Sequence, residues 1–257
     1  MSLDATVSAD LSLAAVSPRD AAVFLEFDGV LVDLARNPGA VHVPDGLVAL
    51  LAVLEAETAG ACAIVSGRAI ADLRRHLPVI PQAVIGSHGA ECQLPGAPAY
   101  RHAAIGSARV AHLHATAARA GLREGIEVEA KPAGVALHHH DRPEHGDTVL
   151  AFANALVTEV EGFVTRQGRS VVEILPEDVA KDQAVAWAMT LPRFAARRPV
   201  CFADGLIDTP LLDWVQALGG VAVRVGGSDD VGQEGPVGPA EVQAVLAHWL
   251  EDQWVGA

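Results

Sequence analysis

Glu26 and Asp28 stand one residue apart at the end of the apolar run Val23-Phe24-Leu25, and Gly29 follows them. A buried strand that stops in such a turn presents acidic side chains and bare backbone at its carboxyl edge, where open α/β sheets place their ligands. Two carboxylates beside backbone oxygen suit a hard divalent cation such as Mg²⁺. On this stretch alone, two solvated acids at a strand end would read the same way.

Three further groups of residues invite the same question. Ser66-Gly67-Arg68 follows the apolar run Ala61-Cys62-Ala63-Ile64-Val65, Lys181 precedes a helical pattern, and Asp204 and Asp208 follow the run Pro199-Val200-Cys201-Phe202. Each has an ordinary explanation: a helix N-cap for Ser66, a solvated lysine, a turn and a cap. Their convergence is more telling. Acids, a hydroxyl, a lysine and acids again, all at carboxyl ends of strands, would build one crevice.

The elements that must position these groups come next. A strand is expected over 21–27. Leu47, Leu50, Leu51 and Leu54 recur at helical spacing after Pro44-Asp45, and Gly60 ends that helix. Strands over 61–65 and 83–85 flank a helix over 69–76. This alternation predicts a parallel sheet with right-handed crossovers. Between about 106 and 170 the pattern changes to a helix over 107–121, two strands over 126–140 broken at Pro132-Ala133-Gly134, a helix over 146–161 and a strand from 163. The parallel pattern then resumes with strands over 171–174, 199–202 and 221–225 and helices over 182–189 and 239–250. The expected fold is α/β, a doubly wound, Rossmann-like parallel-sheet core with a smaller α+β cap inserted. The expected division is a loose or weakly helical lead-in over 1–19, core over 20–106, cap over 107–169 and core again over 170–257.

Composition narrows the class. The chain has 257 residues and carries 32 Asp and Glu against 18 Lys and Arg. An acidic balance argues against a general nucleic-acid binder, which needs a basic footprint. Cys62, Cys92 and Cys201 are scattered and form no C-x-x-C, which fits a reducing compartment. No signal peptide is evident and no stretch approaches the ~20 apolar residues of a membrane span. A soluble, cytoplasmic, monomeric protein is expected, with no membrane or nucleic-acid partner.

In order and spacing the motifs resemble those of haloacid-dehalogenase-type phosphatases, and more closely the trehalose-6-phosphate phosphatase family. The residues that carry the closer match are Leu25-Glu26-Phe27-Asp28-Gly29 with Leu34 and Pro38, Ile64-Val65-Ser66-Gly67-Arg68, Gly86-Ser87-His88-Gly89-Ala90-Glu91, Glu129-Ala130-Lys131, Leu137-His138, Val172-Glu173-Ile174-Leu175-Pro176 with Lys181, and Asp204 with Asp208. The resemblance implies a hydrolase of trehalose biosynthesis that splits trehalose 6-phosphate into trehalose and phosphate with Mg²⁺. By it, Glu26 occupies the nucleophile position and Asp28 acts as acid and base, while Ser66 and Lys181 hold the phosphoryl oxygens. Glu26, Asp28, Asp204 and Asp208 form the metal site. Gly67, Arg68, His88, Glu129, Lys131, His138, His140 and Glu173 meet the sugar phosphate.

The chain also departs from that pattern. Glu26 stands where the family has Asp, Val30 where it has Thr, Gly205 where it has a second Asp, and Asp182 where it has Gly. Ile207 and Thr209 replace its usual Thr and Glu, and His140 replaces Arg. A second reading is therefore a catalytically impaired or silent homologue that binds a sugar phosphate or a protein partner. His140 alone suggests a third, a changed substrate. The run His138-His139-His140 is expected on an exposed cap strand rather than at a transition metal. Gly226-Gly227-Ser228 follows a strand but completes no phosphate-binding motif.

Overall fold

The computed structural model describes residues 13–35, 38–77, 81–139, 143–168, 170–205, 207–226 and 238–252. His140 and most of the glycine-rich segment after 225 lie outside them, as does most of the lead-in.

One seven-stranded sheet has the order β11-β10-β1-β2-β3-β4-β5, built from β1 (Ala21–Glu26), β2 (Cys62–Val65), β3 (Ala83–Gly86), β4 (Glu91–Gln93), β5 (Tyr100–Arg101), β10 (Arg198–Asp204) and β11 (Val221–Val225). Its strands run parallel from β11 to β3, and β4 and β5 are antiparallel additions at one edge. Every residue of β1 is buried, as a strand covered on both faces requires. Ala21, Val23 and Leu25 pack on one face with helices α1 (Leu47–Glu57), α2 (Ile70–His76) and α7 (Pro239–Asp252). Ala22 and Phe24 pack on the other with α5 (Lys181–Ala188) and α6 (Thr209–Ala217). The expected doubly wound core is therefore present.

The second sheet has four antiparallel strands in the order β6-β7-β9-β8, namely β6 (Glu127–Lys131), β7 (Gly134–His138), β9 (Val171–Pro176) and β8 (Phe163–Gln167). Helices α3 (Ala108–Glu124) and α4 (Gly146–Thr158) cover one of its faces. Val110, Leu113, Val149 and Leu156 from these helices pack on Val135, Leu137, Val172 and Ile174. Because side chains alternate along a strand, the opposite face carries Glu129, Ala136, Glu173 and Arg166, which are register partners in one row across the four strands.

Several sequence expectations need correction. The strand over 171–174 does not resume the parallel sheet; as β9 it pairs antiparallel with β7 and β8. A strand buried on both faces has the same apolar pattern in either sheet, so only pairing distinguishes them. The strand carrying His138 is not exposed, since β7 is an inner strand, and His139 just after it is buried. The end of the lead-in is not loose: Leu13 and Val16 join the core, and the Trp249 indole donates to the Val16 carbonyl at 2.8 Å. The short strands β4 and β5 and the helix α6 were not anticipated.

Candidate active site

The carboxyl ends of β1, β2 and β10 open on one side of the larger sheet, and the polar row of the smaller sheet faces them. Between the two lies a cavity of about 340 Å³. From the larger sheet and its helices, Glu26, Asp28, Arg68, His88, Lys181 and Asp208 line it, with Gly67 and Asp204 among them. From the smaller sheet come Glu129, Lys131, His138 and Glu173. Sequence-predicted residues drawn from stretches far apart in the chain thus meet at one surface.

Glu26 ends β1 with its carboxylate buried. Its Oε1 accepts from the Lys181 ammonium, and its Oε2 accepts from the Asp204 backbone N–H at 3.2 Å. Lys181 is the first residue of α5, and its Nζ also lies 2.7 Å from Asp208 Oδ1. Asp208 sits at the N-cap position of α6 but makes no cap bond; its carboxylate turns to the lysine instead. Gly29 lets the β1 loop pass against Asp204. Its φ is +76°, and a Cβ there would fall 2.2 Å from Asp204 Oδ2, so both conformation and space demand glycine.

Oxygens of Glu26, Asp204 and Asp208 lie within 4.8 Å of one another. Burial pushes the Glu26 carboxyl well up, and Asp208 and Asp204 add to the effect against the pull of Lys181. Burial likewise raises Asp204 to about 6, with Lys181 opposing and Asp208 adding. Burial works against the Lys181 charge, but Asp208 and Glu26 together outweigh it and raise its pKa. Three crowded carboxylates share one ammonium, so the cluster has unmet demand for positive charge. Its donors are all oxygen, which suits a hard divalent ion.

Arg68 is buried at the end of β2. Its Nε and Nη2 donate to Asp28 Oδ2 at 2.7 Å and Oδ1 at 2.9 Å, and its Nη1 donates to Asp72 Oδ2 at 2.8 Å. Its guanidinium lies over the Phe27 ring, 5.7 Å from the centroid. Ser66 lies behind the cavity wall, 1% exposed, and its Oγ accepts from the Arg68 backbone N–H at 3.0 Å. Asp72 was not singled out from the sequence, although it lies four residues from Arg68, the spacing at which helix side chains meet.

His88 joins the two sheets. Its turn is strained, with φ of 50° at Ser87 and 57° at His88. Glu91 braces it, its Oε2 accepting from Ser87 Oγ at 2.8 Å. The His88 ring lies on Gly67, where a Cβ would fall 2.4 Å from Nε2. His88 Nε2 lies 3.0 Å from Glu173 Oε1 and 2.8 Å from Oε2. Burial opposes the Glu173 charge, but His88, Lys131 and Lys181 overcome it and hold this carboxyl at about 2. On the same face Glu129 binds Lys131 Nζ at 2.8 Å and His138 Nε2 at 3.0 Å. Burial opposes its charge too, yet His138 and Lys131 lower its pKa.

Leu34, Val171 and Ile207 give the cavity an apolar side that the sequence did not reveal. Their chain neighbours carry the polar motifs, so only the fold groups them.

The trehalose-phosphatase family model matches residues 24–235. The trehalose-6-phosphate phosphatase of Escherichia coli (strain K12) is 32% identical over 212 residues, covering 79% of this chain and 76% of that protein. A probable trehalose-phosphate phosphatase of Sinorhizobium fredii is 32% identical over 206 residues, covering 80% and 77%. The solved C-terminal domain of the C. albicans trehalose-6-phosphate phosphatase superposes with a TM-score of 0.80 at 17% identity, covering 96% of each chain. That last likeness concerns the fold. The family match reaches from the strand of Glu26 past Asp208, and on it and the two sequence relatives this chain belongs to the trehalose-phosphatase family.

Proposed function

We propose that this chain is an Mg²⁺-dependent phosphomonoesterase that hydrolyses trehalose 6-phosphate. The observation that carries the reading is the single cavity in which carboxylates and a lysine on one side face Glu129, Lys131, His138 and Glu173 on the other. Its volume suits a small polar ligand. The smaller sheet with α3 and α4 serves as the cap, and its span runs from about 107 to 176, because β9 belongs to it.

In the first half-reaction a Glu26 oxygen bonds to phosphorus, the bond from phosphorus to the sugar oxygen breaks, and Asp28 gives that oxygen its proton. In the second, a water oxygen bonds to phosphorus and Asp28 takes the water proton. The electron pair of the breaking bond returns to the Glu26 carboxylate. Lys181 holds a phosphoryl oxygen, since such transfers depend mostly on positioning and charge; Ser66, 1% exposed and with its Oγ on the Arg68 N–H, supports the wall behind it. Mg²⁺, held by Glu26, Asp204 and Asp208 with the Asp28 backbone oxygen, would neutralise charge on the phosphoryl group. His88, Glu129, Lys131, His138 and Glu173 meet sugar hydroxyls, with Gly67 leaving room for His88. Three buried, unpaired cysteines suit a reducing compartment, so we place the reaction in the cytoplasm. One chain supplies every group named, so a monomer suffices.

The test is phosphate release from trehalose 6-phosphate, with Mg²⁺ and with chelator, beside glucose 6-phosphate as a control. Mg²⁺-dependent release that favours the disaccharide supports the reading; release no faster than a no-enzyme blank removes it. A second reading, a binder without turnover, has one observation behind it: the longer Glu26 side chain is engaged at both oxygens, by Lys181 and by the Asp204 N–H. Its mark is a stabilisation by trehalose 6-phosphate of about 2.7 kcal/mol at a hundredfold excess over Kd, read as a higher melting temperature, with no phosphate released.

A further inference from the structure

We infer that Arg68 is the positioning residue of Asp28 and not a ligand of the substrate. The inference rests on the phosphatase reading, because it assigns what holds the acid and base of that reaction. The sequence placed Arg68 among the groups that meet the sugar phosphate. Its geometry assigns it elsewhere. Both oxygens of Asp28 are taken by one edge of the guanidinium, at 2.7 and 2.9 Å, and a third N–H goes to Asp72 at 2.8 Å. A paired, planar fork of this kind fixes the direction of a carboxylate as a point charge does not.

Arg68 is itself held firmly. Its backbone N–H donates to Ser66 Oγ at 3.0 Å, and its carbonyl accepts from the Ser87 N–H at 2.7 Å. The Phe27 ring backs the guanidinium. Asp28 by contrast sits in a loop beside Gly29 and is only partly buried. Among the described residues Arg68 supplies the hydrogen bonds to both of its carboxylate oxygens. Asp72 has a separate part: on the third N–H it anchors the guanidinium from the other side, so Arg68 holds the Asp28 carboxylate in one direction.

The test measures kcat and KM on trehalose 6-phosphate for Arg68→Lys and Arg68→Ala, each made in the natural chain and in Glu26→Asp. Misplacing a reacting group by about 1 Å costs roughly 10²-fold, so kcat should fall by about that factor in both variants. KM should stay within about 3-fold, the split that separates transition-state from uniform binding. Guanidinium chloride at tens of millimolar should restore part of the Arg68→Ala rate and leave Arg68→Lys unchanged, a rescue that a purely structural role does not give. Should Arg68→Ala fail to fold, Arg68→Lys carries the comparison. A KM that rises with kcat intact makes Arg68 a substrate ligand and overturns the inference, as does an unchanged kcat. No turnover in either parent removes the phosphatase reading and this inference with it; turnover in a parent with unaffected Arg68 variants removes the inference alone.

Discussion

Shortening Glu26 by one methylene is the sharpest perturbation available. Glu26→Asp withdraws the carboxylate by roughly 1.5 Å, about one C–C bond. The backbone is fixed, because Glu26 pairs in register with Val65 of β2 and the loop at Gly29 lies against the Asp204 side chain. The shift therefore appears almost whole at the reacting oxygen. In the natural chain that oxygen is drawn to Lys181, while its neighbour accepts from the Asp204 N–H at 3.2 Å. Both contacts lengthen in the variant, and the carboxylate is freed from the lysine. A misplacement near 1 Å is worth roughly 10²-fold, about 2.7 kcal/mol of barrier. We expect Glu26→Asp to raise kcat on trehalose 6-phosphate by about that factor. Loss of one buried methylene should cost about 0.8 kcal/mol of stability, with a further decrement from the lengthened ion pair. The assay is steady-state phosphate release at saturating Mg²⁺, beside urea denaturation of both proteins. A variant as slow as the natural chain, or slower, refutes the reasoning: the glutamate would then be the length this site requires.

Lys181→Met leaves Glu26, Asp204 and Asp208 without their ammonium. Breaking a buried pair costs about 3–5 kcal/mol, and a divalent cation should recover much of it, so Mg²⁺ should raise the melting temperature of the variant more than that of the natural chain. Equal Mg²⁺ responses would show that the ion does not bind at these carboxylates. Glu173 gives a pH dependence whose sign is fixed: its carboxyl is lowered from an ordinary 4.5 to about 2, so its contribution is fully present above the ordinary value and is lost as pH falls through the folded one. The stability gap between the natural chain and Glu173→Gln should be about 3 kcal/mol at pH 7 and close steadily below about pH 4.5. Urea midpoints at pH 7, 5 and 3.5 measure it, and a gap that does not narrow with acid rules out the buried His88–Glu173 pair as its source.

What the sequence made legible was local. Strand ends, helix starts and the motif glycines are written within a few residues of one another, and Gly29 and Gly67 prove to be the positions where a side chain would strike Asp204 or His88. The α6 helix is also written locally, in Asp208, Thr209 and Pro210 ahead of Leu211, Leu212 and Val215. What was not legible was pairing. β9 has the same buried pattern in either sheet, and its partners β7 and β8 are chosen by register. Likewise Arg68 meets Asp28 across 40 positions, His88 meets Glu173 across 85, and Lys181 meets Glu26 across 155. Motif residues identify the family one by one, but their chemistry lies in these contacts. A glutamate in place of aspartate reads in the sequence as a retained charge. In the structure it is a change of reach, which brings the carboxylate onto Lys181 from a backbone that the pairing with Val65 holds in place.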